Sequence, residues 1–270
     1  MTLQEQYISA LRDYNDPTLP AGYADENLTR LEEELFLTGS SNGIVTSKEE
    51  DRALLARAEV FEWADRHQVI PEGERRELAE LVTPASEFVM KVKRQAGNSC
   101  ASNALAGAVE ITRNWQGLPY KELNPTSIYS FACGGRDRGS SLSKNMRLAI
   151  EKGIAPTNVF STTNYRVKPK GEAAEEALNY RVTEACVLRN ENEFKSALLD
   201  GFVIYFGYRG HAINGAKYID ERRFAYLNSW GENWGNNGFG TLRYSSIYWA
   251  YGVYAILACN HHGTNLKLAT

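Results

Sequence analysis

From Cys100 to Trp115 the chain reads CASNALAGAVEITRNW, small or apolar at most positions until its polar end. That run predicts a deeply packed helix from about Ser99 to Trp115, entered from the polar, glycine-containing turn RQAGNS. Helical spacing recurs near 141–152, 171–180 and 191–199. Earlier, SKEE at Ser47–Glu50 is a capping-box pattern opening a stripe of Leu54, Leu55, Ala58 and Phe61. Pro71 stands where the next short helix would start, and DPTLPAGY (16–23) and GSSNG (39–43) read as breakers. From about residue 201 the texture changes to glycine-punctuated, β-prone runs: FVIYFG, HAINGAKYI, RFAYLNSW, FGTLRY and VYAILA. Helices first and strands later predict an α+β architecture with two subdomains, not alternating βαβ units.

The bulk figures narrow the class. With 270 residues, 43% hydrophobic and 23% charged, the chain reads as an ordinary globular protein, long enough for a sizeable core plus an appendage. It has no run of 18 apolar residues, and its start, MTLQEQYISALRDYNDPTLP, lacks the basic and apolar regions of a secretory signal. The net charge of −3 divides into −10 over residues 1–84 and +7 over 85–270. This split has two readings: docking of one segment on the other, or a solvated acidic helical face.

Chemistry enters with the cysteines and histidines. Cys100, Cys133, Cys186 and Cys259 are far apart and show no paired spacing. With Cys100 as a working thiol three remain, an odd number that fits a reducing setting. A cysteine at a helix N-terminus has its thiolate favoured by the helix dipole, but a nucleophile also needs a base, an orienter and an oxyanion site. Among His67, His211, His261 and His262, His211 is the natural base, since it opens a strand-like run. An antiparallel pair, 211–219 then 223–229, would return Asn228 beside it, where an amide oxygen can fix the imidazole. Trp230 and Trp234 would shield that contact. CNHH at 259–262 contains metal-ligand types, but adjacent histidines near a chain end are more simply exposed. The tyrosine-rich 243–258 reads as a strand and aromatic core, with a pocket wall as the second reading.

Together these segments resemble the papain-like cysteine peptidases. VKRQAGNSCASNALAG is similar to that family's nucleophile segment, GHAI to its histidine strand and YLNSWGENWGNNGFG to its asparagine–tryptophan segment, in the family's order, over roughly 85–258. SFACGGRDRG is similar to its glycine-rich, substrate-binding stretch. The resemblance implies a two-subdomain fold, helical on one side and antiparallel and barrel-like on the other, behind an N-terminal helical region. It also implies Cys100 as nucleophile, His211 as ion-pair partner and proton donor, and Asn228 as orienter. Gln95 and the Cys100 N–H would form the oxyanion hole, with Gly134, Gly135, Gly210 and Ala212 along the substrate. The reaction would be hydrolysis of a peptide or protein through a thioester, without metal or organic cofactor, nucleic acid or membrane.

Four departures accompany the resemblance. Gln95 precedes Cys100 by five residues where the family usually has six, which leaves surface polarity as its other reading. Ala101 replaces an aromatic. Gly97 stands where a disulfide cysteine usually does, leaving Cys133 without its usual partner. The loop before His211, FGYRG, is short. The domain reading is 1–84 as a propeptide-like latch or attachment module, 85–262 as peptidase and 263–270 as tail. Residues 1–84 lack the Glu/Arg/Phe/Asn/Ile/Asn pattern typical of such propeptides. The expected setting is cytoplasmic or particle-associated. Against the active endopeptidase stand two alternatives: a scaffold or attachment component of an assembly such as a phage particle, with weak or latent activity, and acyl transfer or deamidation by the same triad.

Overall fold

The computed structural model describes residues 1–20, 23–39, 43–249 and 252–257. Cys259, His261, His262 and the 263–270 tail lie outside them.

The central helix forms where the sequence puts it: α5, Cys100–Trp115, with every residue from Cys100 to Thr112 buried. Around it lie α6 (Thr126–Ala132), α7 (Leu142–Lys152), α8 (Glu172–Ala177) and α9 (Glu191–Leu199). The Ser141 and Asn190 side chains cap α7 and α9 by accepting the N–H groups of Lys144 and Glu193.

Seven strands make one open sheet in the order β1-β2-β7-β3-β4-β5-β6. They are β1 (Val60–Glu62), β2 (Glu184–Val187), β3 (Val203–Tyr208), β4 (His211–Tyr218), β5 (Arg223–Leu227), β6 (Phe239–Arg243) and β7 (Val253–Leu257). From β2 to β6 the pairing is antiparallel, while β1 joins in parallel, Val60 opposite Ala185. The barrel-like half is thus an open sheet. One large core lies between α5–α7 and the inner face, and a second, aromatic-rich core under the outer face.

Residues 1–84 contain α1 (Leu3–Tyr14), α2 (Asp25–Leu37), α3 (Lys48–Leu55) and α4 (Glu72–Leu81). The Ser47 cap forms, but α3 stops at Leu55, so the helical stripe expected to reach Phe61 is cut short. Val60 and Phe61, a β-branched and an aromatic residue, instead extend the sheet as β1. Pro71 precedes α4 as its cap, one position before the expected one. Helices α1 and α2 bury Tyr7, Leu28, Leu31 and Leu35 in the second core, together with Trp63, Phe224 and Tyr226.

The docking is ionic as well as apolar. On β5, Arg223 is fully buried and donates to Asp25 at 2.7 Å and to both Glu32 oxygens at 2.7 Å. Arg243 adds a 2.5 Å pair to Asp25, and Thr241 donates to Glu32. Here the opposite charges of the two segments meet in buried pairs.

Candidate active site

Cys100 opens α5 and His211 opens β4, and these elements are tied where Asn214 of β4 donates to the Ala104 carbonyl at 2.7 Å. The backbone N–H of Ala212, the residue next to His211, lies near enough to the Cys100 thiol to pull its pKa down. On the far side of the ring His211 Nε2 meets Asn228 Oδ1 at 2.8 Å. The same oxygen accepts the Ser229 N–H at 2.7 Å. A backbone N–H can only donate, so the atom facing it is the amide oxygen and Nε2 carries the proton. That leaves Nδ1 as the basic nitrogen. Trp230 covers the pair, its ring 4.5 Å from that of His211. Trp234 packs edge-on behind Trp230 at 5.3 Å.

The loop leading into Cys100 is held from both sides. Gln95 N donates to the Ser229 carbonyl at 2.8 Å, and Ser229 Oγ donates to Gln95 Oε1 at 2.6 Å. Gln95 Nε2 donates back to the Gly97 carbonyl at 3.0 Å, within its own loop. On the opposite side Asp137 accepts the Asn98 N–H at 3.0 Å and the Tyr129 hydroxyl at 2.6 Å. This hydrogen-bonded tie lies beside Gly97, where the family's disulfide would be. Cys133 and Cys186, like Cys100, are free and buried.

Gly134 and Gly135 lie at an exposed turn, with open space where side chains would be. The backbone that pairs with the N-terminal segment here is that of Ser140. Its N–H donates to the Gly43 carbonyl at 2.9 Å and its carbonyl accepts the Val45 N–H at 3.3 Å. Opposite, the Gly210 carbonyl accepts the Ile44 N–H at 3.0 Å. The chain's own N-terminal segment therefore lies between the two walls.

That segment lies against Cys100, His211 and Trp230. Phe36, at the end of α2, packs on Tyr208, His211 and Trp230 at centroid distances of 4.9, 5.7 and 5.3 Å. Gly39 lies against the Trp230 ring. Gly43 lies over Cys100 so closely that a Cβ there would be 2.8 Å from its Sγ and 2.5 Å from the Asn98 carbonyl oxygen. Only glycine fits that approach. Cys100 has no exposed surface. Burial pushes its thiol up, against the opposing pull of the Ala212, Ala101 and Gly43 N–H groups.

The short loop before His211 has a geometric counterpart. Arg209 and Gly210, at φ 47° and 81°, form a two-residue hairpin turn that pairs Tyr208 with His211. Tyr208 thereby becomes a wall of the site, a role its sequence position did not announce. Among the described residues no cluster of three metal-ligating side chains occurs, and no helix is long and apolar enough to cross a membrane.

No protein-family model matches the chain, and no curated protein matches it in sequence. Solved structures do match. Xylellain, a cysteine protease from Xylella fastidiosa, is 19% identical over 66% of this chain and 91% of its own, with a TM-score of 0.58. Procathepsin L 3 of Tenebrio molitor larval midgut is 11% identical, covering 95% of this chain and 99% of its own, with a TM-score of 0.53. The bromelain protease of Ananas comosus, solved with the inhibitor E64, is 15% identical over 65% and 97%, with a TM-score of 0.53. The fold is that of the papain-like cysteine peptidases.

Proposed function

We propose that this papain-fold chain is a thiol endopeptidase held closed by its own N-terminal region, with Phe36–Gly39 and Gly43–Val45 as the latch. The observation that carries the reading is the set of contacts joining Cys100, Ala212, His211 and Asn228 under that segment. Once the segment leaves, His211 Nδ1 takes the Cys100 proton. The thiolate, favoured by the N-terminus of α5, attacks the scissile carbonyl, and the imidazolium returns the proton to the leaving amine. Water then hydrolyses the thioester. The Cys100 N–H stabilises the oxyanion, and Gln95 Nε2 joins it by exchanging the Gly97 carbonyl for the substrate. Asn228 keeps the imidazole in the required tautomer, and Trp230 excludes water from their hydrogen bond.

The latch also indicates how a substrate backbone is held. Ser140 N–H and C=O and the Gly210 C=O take the main chain of residues 43–45, and a peptide can use the same three groups. The extents of the structural matches agree with a latch: the proenzyme covers 95% of this chain and bromelain 65%.

Deleting residues 1–84 is a poor test, since it removes β1 and the Trp63 packing along with the latch. Gly43→Val in the full chain is cleaner, because the new side chain must collide with Cys100 and Asn98. We expect this variant to hydrolyse peptides and to lose that activity with Cys100→Ala, while the wild type is slow. A Gly43→Val chain that labels rapidly at Cys100 yet cleaves nothing would refute the peptidase reading and favour a scaffold role in an assembly.

A further inference from the structure

Behind the His211–Asn228 pair, two buried amides each lack one partner. The Asn228 oxygen is fixed by the Ser229 N–H, so its Nδ2 points the other way, and there it has no hydrogen-bond partner among the described residues. Asn214 is the complementary case. Its Nδ2 faces the Ala104 carbonyl, which only accepts, so that atom must be the nitrogen. Its Oδ1 is left buried without a partner. Both residues are 2% exposed.

The two side chains line one small cavity between α5 and β4, with Asn103, Gly107 and Glu110 on its helix side. Gly107 makes room there, since a Cβ would stand 3.4 Å from Asn214 Nδ2. Glu110 is already engaged, accepting from Lys93 at 2.7 Å and from the Leu123 N–H at 2.6 Å. The free volume is ≈ 10 Å³, close to the roughly 10–15 Å³ that one water needs. A residue with an orphan donor and one with an orphan acceptor therefore line the same space of single-water size.

We propose that this cavity is a binding site for one structural water, which accepts from Asn228 Nδ2 and donates to Asn214 Oδ1. Asn214 is then a positioning residue, acting through the water on Asn228 and through Asn228 on His211. Without that acceptor Asn228 gains by rotating its NH2 towards another partner. The rotated amide would set a donor against the Ser229 N–H and select the wrong imidazole tautomer. The positioning role rests on the peptidase reading, whereas the water site does not.

A crystal structure of the full chain at a resolution that shows ordered water tests the site directly. The expected result is one peak within hydrogen-bonding distance of both atoms. An empty cavity, or Asn228 Nδ2 bonded to a protein acceptor, overturns the proposal. The role is tested in the Gly43→Val chain with two further variants. Asn214→Leu fills the space and expels water, while Asn214→Ala leaves room for a second water in place of the lost amide. We expect Asn214→Leu to lower kcat about tenfold, the size of one lost buried hydrogen bond, with KM nearly unchanged. Asn214→Ala should lower kcat less than Asn214→Leu does, and exchange of the His211 Nε2 proton, read by NMR, should quicken more in the leucine variant. Equal losses in both variants, or a loss in KM alone, would make Asn214 a packing residue. If the Gly43→Val chain cleaves nothing, the peptidase reading falls, and the water peak and the Nε2 exchange still decide this proposal.

Discussion

Phe36→Ala is the perturbation that most directly measures the latch. Phe36 is 6% exposed, and its ring contacts Tyr208, His211 and Trp230. Truncating a buried phenylalanine to alanine costs about 3–5 kcal/mol. Some of that returns when the three facing rings gain water, so about 3 kcal/mol is a fair figure for the closed state. At about 1.4 kcal/mol per factor of ten, the open fraction should rise roughly a hundredfold. Cys100 has no exposed surface when closed, so alkylation of the full chain by iodoacetamide, with the adduct located by mass spectrometry, reads that fraction. The expected outcome is a rate increase of roughly a hundredfold, levelling off when the open form predominates. Leu54→Ala is the control, since Leu54 is fully buried on α3, in the inner core away from the latch contacts. A rise of less than threefold for Phe36→Ala, or an equal rise for Leu54→Ala, would show that Phe36 does not hold the site closed.

Other outcomes follow from the same geometry. In the Gly43→Val background, His211→Ala should lower peptide hydrolysis by about three orders of magnitude and abolish alkylation at mildly acidic pH; labelling that still persists below pH 7 in that variant would exclude an ion pair. Burial pushes Glu32 from 4.5 up to about 7 despite the opposing pull of Arg223. A raised carboxyl pKa means that the folded form binds more protons than the unfolded one, so the closed chain should lose stability as pH rises from about 4.5 to about 7. Urea unfolding across that window should show the slope, and Glu32→Gln should remove it; an identical slope in the variant would contradict the assignment. Asp25 opposes this: it too is pushed up by burial, yet Arg223 and Arg243 hold it below the usual carboxylate range. Its share of stability is lost on acidification, so Asp25→Asn should flatten the acid limb of the same unfolding series.

The elements around Cys100, His211 and Asn228 were legible because each carries a local signal. Cys100 stands at the mouth of a buried helix, and the β4–β5 hairpin length alone returns Asn228 to His211. Residues 1–84 could be read as a latch or attachment module, but not the contacts by which they cover Cys100 and His211. Phe36 is one apolar residue of an amphipathic helix, and GSSNG at 39–43 reads as a breaker, because what makes Gly43 necessary is Cys100, far along the chain. The pairing of Ser140 with residues 43 and 45 was not legible, because it runs through backbone that any residue possesses. Strand β1 was hidden by its three-residue length and by a helical stripe that Phe61 happened to continue. Asn214 looks like any polar residue in an alternating strand until its cavity is seen.

The segment proposed as a latch is anchored on both flanks: α2 precedes it with the Arg223 ion pairs, and β1 follows it inside the sheet. Closure is therefore unimolecular, governed by an effective concentration that dilution does not change. A single cut between Gly39 and Gly43 would free two short ends while both anchors stayed in place. Cutting would then produce a nicked, two-chain particle of undiminished mass, with the cleft opened and the acidic helices still aboard.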